Sequence, residues 1–516
     1  MRGVIAAGHE LTVQAAENAL KDGGNAYDAV LAGLAAACVA EPVLASLGGG
    51  GYLLAQPASG PARLYDFFVQ TPRRRRPPAE LDFHPILADF GTARQEFHTG
   101  HGSAAAPGVV RGLFEVHRDL ATLPMRALVA PAVEWAARGI RVEPFQAYVL
   151  RVVEAIYAAS PAALAVYGSC THPGALVDEG ERLVQPELAD VLDSLASEGA
   201  ELFYRGEIAR TIVRDMQDGG QLQAEDLAGY RVERREPLAV DYRSMRLLTN
   251  PPPATGGILL AFALRLLEAL DPSGLEFGSA EHLGLLAEVM ALTSEARARA
   301  HLDEGMVHPD AERFLHPGFV DAYRRRLAAH PRSRGGTTQL SVIDAHGNLA
   351  SLSVSNGEGS GYVIPHTGIM MNNMLGESDL NPGGFHRWPA GARMTSMMAP
   401  TVARRRDGFA LATGSGGSNR IRSAVLQVLV NMLDLEMGVE PAVLAPRIHL
   451  ESDLLSIEGG FDRARLTLLL RRYPQHQLWE ARNLFFGGAH TVAIGPRGWE
   501  AAGDPRRGGA AHVVTR

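Results

Sequence analysis

Lysine is nearly missing from this chain. Lys21 stands alone among 49 basic residues, and the rest are arginine, a bias we read as genome composition rather than function. Cysteine is scarce too. Cys38 and Cys170 lie far apart, in neither a metal-binding nor a redox spacing. Cys38 sits in the apolar run LAGLAAACVA and reads as a small core residue. An excess of positive charge is absent: the formal charge is −8, which argues against a nucleic-acid partner. The first 20 residues lack a basic region followed by an apolar block. The longest apolar segments, such as GGILLAFALRLLEAL, are too short and too interrupted to span a bilayer. The expectation is a soluble cytoplasmic protein with no nucleic-acid and no membrane partner.

What is present is an ordinary globular composition, 46% hydrophobic over 516 residues. That length allows two to four domains at ~150 residues each, or one large layered α/β structure. Helical patterns cover about residues 10–22 and 26–40, with Gly23-Gly24 as the stop of the first and Asn25 as N-cap of the second. LGGGGYLLAQPASGPARLYDFF reads as a two-stranded hairpin, in which the glycine run 48–51 permits positive φ and close backbone approach, with a flexible turn as the other reading. The run RRRR at 73–76, bounded by prolines, reads as a solvated loop. Residues 107 to about 235 are mainly helical, YRVERREPLAVDYRSMRLLTN reads as strands, and helices follow the PPPATGG loop and cover about 279–301. PRSRGG, 331–336, has linker composition. Beyond it lie strands at 338–344 and 349–355, a strand in GFALATG, a helix at 420–437 and a strand-rich tail.

The two strands after the linker define a register. DAHGN supplies a three-residue loop, Ala345-His346-Gly347, with Gly347 in the left-handed position. Thr337, Gln339 and Ser341 then face Ser355, Ser353 and Ser351, while Leu340 and Val342 face Leu352 and Ala350. Polarity matches on both faces, and a one-residue slip would destroy the match. The polar residues are expected on one face of a sheet whose other face is buried.

A threonine at a strand start, backed by hydroxyls and preceded by two glycines, has one chemical use that accounts for the glycines. Cleavage of the Gly336–Thr337 bond would give Thr337 an α-amine with a pKa of roughly 7.7–8.0. Such an amine is a base within reach of its own Oγ and activates it as a nucleophile. Glycine before the cut leaves room for the Thr337 hydroxyl to attack the preceding carbonyl. Competing chemistries lack their residues: there is no GxSxG elbow, no HExxH, no phosphate loop and no CxxC pair. An oxyanion site is offered by LATGSGGSNRIRSAV, where a strand passes through Gly414–Gly417 into a helix near Arg420.

These residues carry a pattern. GGNAYDA from Gly23, GGGGYLL (48–54), APGVVRGL (106–113), NPPPATGGI (250–258), TTQLSVIDAHGN (337–348), TGIMMNN (367–373), TSMMAPT (395–401), GSGGSNRI (414–421) and DPRR (504–507) follow one another in a familiar order. On them the chain resembles, over nearly its whole length, the gamma-glutamyltranspeptidase family of self-processing N-terminal nucleophile hydrolases. The resemblance implies a four-layer αββα sandwich shared by a large fragment, 1–336, and a small catalytic fragment, 337–516, produced by cleavage between Gly336 and Thr337. It implies Thr337 as nucleophile, Gly416 and Gly417 as oxyanion hole, and Ser355 as the hydroxyl supporting the nucleophile. Two alignments of the segment leave Ser353 or Asn356 open for that last role.

The departures concern the substrate. The arginine that holds the α-carboxylate in the family falls at Phe68, with one of Arg73 to Arg76 as a substitute candidate. The groups that contact the α-amine become Met374 and either Glu377 or Asp379. Of two serines that help bind the carboxylate, Ser396 stays and the second is Met397. Asn356, Glu377, Asp379, Ser396, Met397 and Phe68 are therefore the expected substrate-binding positions. The resemblance implies cleavage of γ-glutamyl amides such as glutathione through an acyl-enzyme ester, with water or an amine as acceptor. An acylase with another head group is the alternative, and an uncleaved binding protein a reading of another class. No metal or organic cofactor is signalled. The partners implied are a small-molecule amide and the chain's own two fragments, with a homodimer left open.

Overall fold

The computed structural model describes residues 1–89, 94–268, 270, 275–300, 310–325, 337–381, 383–451 and 453–515. It is a mixed α/β fold built on two antiparallel sheets. Across the first, the strands run Ala510–Val514, Gly3–Ala7, Thr338–Asp344, Leu349–Ser355, Gly50–Gln56, Arg63–Phe67 and Glu233–Arg235. Across the second, they run Gly498–Ala502, Thr491–Gly495, Ala410–Thr413, Thr401–Arg404, Met245–Thr249 and Leu238–Tyr242. Both sheets take strands from either side of residue 336, so the two halves of the sequence interleave. The linker 331–336, Gly336 included, lies outside the described residues.

The hairpin at the centre of the first sheet has the expected register. Thr338 pairs with Val354, Gln339 with Ser353, Ser341 with Ser351 and Val342 with Ala350. Gly347 closes the turn at φ +84°, and Gly347 N–H donates to the Asp344 carbonyl at 3.0 Å. One face of the hairpin, Leu340, Val342, Ala350, Leu352 and Val354, packs into one core with the helix Ala26–Ala40. That helix is buried on every side, and its alanines and Gly33 let it approach closely: a Cβ at Gly33 would fall 2.5 Å from Leu340 Cδ2. Asn25 and Asp28 form a reciprocal capping box at its start.

The other face of the hairpin is polar, and it too is buried, because the second sheet lies against it. A hydrogen-bonded network makes that burial tolerable. Gln339 Nε2 donates to Ser341 Oγ at 3.0 Å and Ser351 Oγ at 2.9 Å, and Ser353 Oγ donates to Gln339 Oε1 at 2.5 Å. Ser341 and Ser351 then donate across the interface to the carbonyls of His490, at 2.9 Å, and Thr413, at 2.8 Å. A second core fills the remaining space between the sheets. It continues into the helices Gly256–Glu268, Ala280–Arg299 and Arg420–Leu433 on the far side of the second sheet.

Two expectations are refined and a third, the solvated arginine loop, holds. The helix from Arg420 ends at Leu433, not 437, because Glu436 turns left-handed at φ +53° and Leu435 N–H folds back onto the Val430 carbonyl. The glycine run 48–51 contains no positive φ. Its glycines permit close approach instead: a Cβ at Gly49 would fall 2.4 Å from the Ser355 carbonyl oxygen, and one at Gly51 2.4 Å from that of Ser353. The arginine run 73–76 is a surface loop, with Arg75 stacked over Trp388 at 4.8 Å. Among the described residues no helix is long and apolar enough to cross a membrane.

Candidate active site

Thr337 immediately precedes the strand Thr338–Asp344 and is buried. Side chains alternate along a strand, so Thr337 shares the inter-sheet face with Gln339 and Ser341, and the hairpin register continued by one step sets Ser355 opposite it. Ser355 lies at the end of its strand beside Gly50, and its hydroxyl accepts the Gly357 N–H at 3.0 Å. Ser353 is drawn away into the Gln339 network, and Asn356 turns its amide toward the Met371 carbonyl at 3.5 Å. Of the three candidates for the group supporting the nucleophile, Ser355 is the one the register sets opposite Thr337.

The glycine loop meets the same threonine. Ser415–Gly416 forms a short antiparallel pair with Gly488–Ala489, which fixes the loop's approach. A Cβ at Gly416 would fall 1.4 Å from the Thr337 carbonyl oxygen, so only glycine fits there. Gly417 needs to be glycine for a different reason, its φ of +122°. The helix Arg420–Leu433 begins directly after, with its N-terminal end at the loop.

The acidic candidates lie together. Glu377 is buried against Gly357, and its Oε1 has no hydrogen-bond partner among the described residues. Burial pushes its carboxyl well above the usual range, with Glu358 and Asp379 adding to the effect. Asp379 accepts the Ser418 hydroxyl at 2.8 Å, and burial raises it to about 6. Glu358, which sequence reasoning missed, is buried beside them and raised to about 7 by burial, against the opposing pull of Arg507 and Arg420.

The positions where a carboxylate-binding group was sought are apolar or engaged. Phe68 is buried beside Gly50 and stacks on Tyr52 with ring centroids 5.5 Å apart. Its carbonyl accepts the Tyr230 hydroxyl at 2.7 Å and a short hydrogen bond from Arg393 Nη1. Arg73 to Arg76, the substitute candidates, lie in the surface loop. Arg73 and Arg74 are exposed, Arg75 covers Trp388, and Arg76 donates to the Gln217 carbonyl at 2.9 Å. The guanidinium that reaches Phe68 is that of Arg393, which also faces Asp66 at 3.6 Å. Ser396 accepts the Met398 N–H at 3.1 Å, while Met397 packs its sulfur against the Thr255 hydroxyl at 3.5 Å.

Sequence reasoning also gave no role to Arg507. Its Nη1 donates to the Thr337 carbonyl at 3.1 Å. Behind it, Arg447 and Arg506 bond Asp504 at 2.6 and 3.1 Å, and Arg506 bonds Glu458 at 2.6 Å. The only sequence signal was the DPRR motif itself. Among the described residues no group of three or more His, Cys, Asp or Glu side chains is placed to hold a metal ion.

With this geometry in place, comparison with known proteins is informative. A family model described as Gamma-glutamyltranspeptidase matches residues 12–514. The chain is 32% identical over 530 residues to the Acylase ACY 1 proenzyme of Pseudomonas sp. (strain V22), covering 98% of this chain and 93% of that protein. It is 31% identical over 559 residues to the Glutathione hydrolase proenzyme of Escherichia coli (strain K12), covering 98% and 90%. Among solved structures it is similar to a cephalosporin acylase from Bacillus halodurans, with a TM-score of 0.83 at 25% identity, covering 99% of this chain and 95% of that one. The Helicobacter pylori gamma-glutamyltranspeptidase matches with a TM-score of 0.56 at 26% identity, over 62% and 90%.

Proposed function

Since the chain belongs to the gamma-glutamyltranspeptidase family, we propose that it is a self-processing N-terminal-threonine amide hydrolase of the acylase kind. The fold would be the family's four-layer αββα sandwich, a reading supported by two sheets face to face with helices on their outer sides. In self-cleavage, Thr337 Oγ attacks the Gly336 carbonyl carbon and the C–N bond to Thr337 breaks. The amide becomes an ester, and water hydrolyses it to give fragments 1–336 and 337–516. In turnover, the freed α-amine takes the Oγ proton while Oγ attacks the substrate carbonyl. The N–H groups of Gly416 and Gly417 receive the oxyanion, and Ser355 supports the nucleophile. The departing amine takes the proton, and water or an amine acceptor releases the acyl group from Thr337.

The observation that carries this reading is the seat of Thr337, whose carbonyl is so close to Gly416 that no side chain fits between them. For the head group, buried Phe68 and Met397 stand where a carboxylate would need a guanidinium and a hydroxyl, which favours an acyl group without an α-carboxylate. A γ-glutamyl head group is the second reading. It is favoured by the buried oxygen of Glu377, unpartnered among the described residues, with Asp379 nearby, as a counterpart to an α-ammonium. Denaturing electrophoresis with N-terminal sequencing tests the chemistry: two fragments are expected, the smaller beginning at Thr337. A single band near 55.2 kDa in the wild type as in Thr337→Ala would overturn it. A γ-glutamyl anilide assayed beside acyl amides then decides the head group, and turnover of the γ-glutamyl compound alone would replace the acylase reading.

A further inference from the structure

Arg507 lies within one hydrogen bond of the nucleophile residue and is 1% exposed. Nη1 donates to the Thr337 carbonyl at 3.1 Å and Nη2 to the Leu484 carbonyl at 3.3 Å. The slot it occupies is made by glycines: a Cβ at Gly488 would fall 2.5 Å from Arg507 Cδ, and one at Gly416 3.3 Å from it. Such a buried guanidinium needs counter-charge. Asp504 is already held by Arg447 at 2.6 Å and Arg506 at 3.1 Å, and Glu358, which also feels Arg420, is the carboxyl that acts most strongly on Arg507.

We propose that Arg507 is a positioning residue for the N-terminal threonine, fixing its carbonyl and keeping a positive charge beside the α-amine so that the amine stays unprotonated and free to accept the Oγ proton. The proposal rests on the N-terminal nucleophile reading above. Amine and carbonyl belong to one residue, so the guanidinium nitrogen on that carbonyl lies within ~7 Å of the amine. A unit charge at that range shifts a protonation equilibrium by about one to two pH units at an effective dielectric of about 20 to 40. Burial lowers Arg507 only to about 10, so it is cationic at neutral pH. The other groups around it are Arg420, Arg447 and Arg506, the carboxylate of Asp504, Tyr148, and His490, which burial lowers to about 4 and keeps neutral. Glu358, raised to about 7, ionises across the working range and returns part of the field.

The test compares wild type, Arg507→Gln and Arg507→Lys for self-cleavage over time on denaturing gels. It then follows kcat/KM against pH on the acyl amide the wild type turns over best. Arg507→Gln should cleave at least ~10-fold more slowly, and the acid limb of its profile should move up by about one pH unit, while Arg507→Lys restores the limb. A cleaved Arg507→Gln enzyme with its limb within about 0.2 units of wild type would overturn the proposal. If Arg507→Gln is insoluble or uncleaved, Glu358→Gln reads the same field with the opposite sign. Its acid limb should move down, and an unmoved limb again overturns the proposal. A wild type that never cleaves refutes the nucleophile reading itself, and a cleaved wild type with an indifferent Arg507 refutes only this inference.

Discussion

Alanine at Gly416 is the sharpest perturbation the site offers. The added methyl would sit 1.4 Å from the Thr337 carbonyl oxygen and 2.5 Å from its carbon. Carbon and oxygen at rest prefer about 3.5 Å, so one partner must retreat by about 2 Å. Neither moves freely. Arg507 holds the Thr337 carbonyl, and Gly416 is fixed by its pairing with Gly488. Overpacking of this kind costs ~1–3 kcal/mol, which a folded chain of this size survives. The functional cost is larger. A shift of ~1 Å at a reacting group loses ~10²-fold, and a misplaced oxyanion donor a further ~10²–10³-fold. Gly416→Ala should therefore fold, remain mostly a full-length precursor over the time in which wild type cleaves, and turn over substrate at least ~100-fold more slowly. The assay is a cleavage time course with turnover of the mature fraction, beside Gly60→Ala as control. Gly60 has φ +102° and open space around it, so alanine there should cost ~1–2 kcal/mol and leave cleavage unchanged. Cleavage and turnover of Gly416→Ala within about threefold of wild type would refute both the oxyanion assignment and the close approach behind it.

Glu41 accepts the hydroxyls of Thr12 at 2.7 Å and Thr338 at 2.8 Å, and burial raises it from 4.5 to about 6. The folded chain thus binds more protons here than the unfolded one between those values, and stability is lost as pH rises through about 6. Glu41→Gln should match wild type at about pH 4 and exceed it by about 2 kcal/mol at pH 8 in urea unfolding. A difference independent of pH would disprove the linkage. Arg506→Leu strips the buried carboxylates of Asp504 and Glu458 of a shared partner and should cost ~3–5 kcal/mol, read as a lower urea midpoint. A midpoint unchanged would mean that the cluster is hydrated. Gln339→Leu leaves the hydroxyls of Ser341, Ser351 and Ser353 short of a partner, and should cost ~1–3 kcal/mol and slow self-cleavage. Stability and cleavage both at wild-type levels would show the network to be dispensable.

The hairpin that carries Thr337 was legible because its cues are local. Period-two polarity and one left-handed glycine set the register, and the same economy marks Asn25 as a cap. Cues fail where the partner is distant. Alternating Gln339, Ser341, Ser351 and Ser353 look the same whether they meet water or a second sheet, and only the opposed sheet makes them interior. The glycines at 48–51 advertise freedom of φ and close approach equally, and the choice depends on strands some 300 residues away. Arg507 is 170 residues from Thr337, and Arg393 is 325 from Phe68, so neither partner could be read from the sequence, although DPRR marked Arg507 itself.

This division has a chemical consequence. The proposed seat of the nucleophile is made of backbone approaches: Gly416 to Thr337, Gly50 to Ser355, Gly49 to the carbonyl beside it. Backbone geometry tolerates no side chain there, so the reaction can change only by being lost. The proposed head-group positions are side chains contributed by separate segments: Phe68 directly after the strand Arg63–Phe67, Met397 beside the start of a helix, and Glu377 from the loop after Asn373. Each should be exchangeable without moving Thr337, whose carbonyl is held by Arg507. A family built this way would vary its acyl group more readily than its bond-breaking step. Exchange of Met397 for serine is then expected to alter the ratio of γ-glutamyl to acyl turnover while leaving the rate of self-cleavage within about twofold. Precursor cleavage is the readout that separates the two roles: if Met397→Ser slowed it as much as Gly416→Ala, seat and specificity would be one structure and the division would fall.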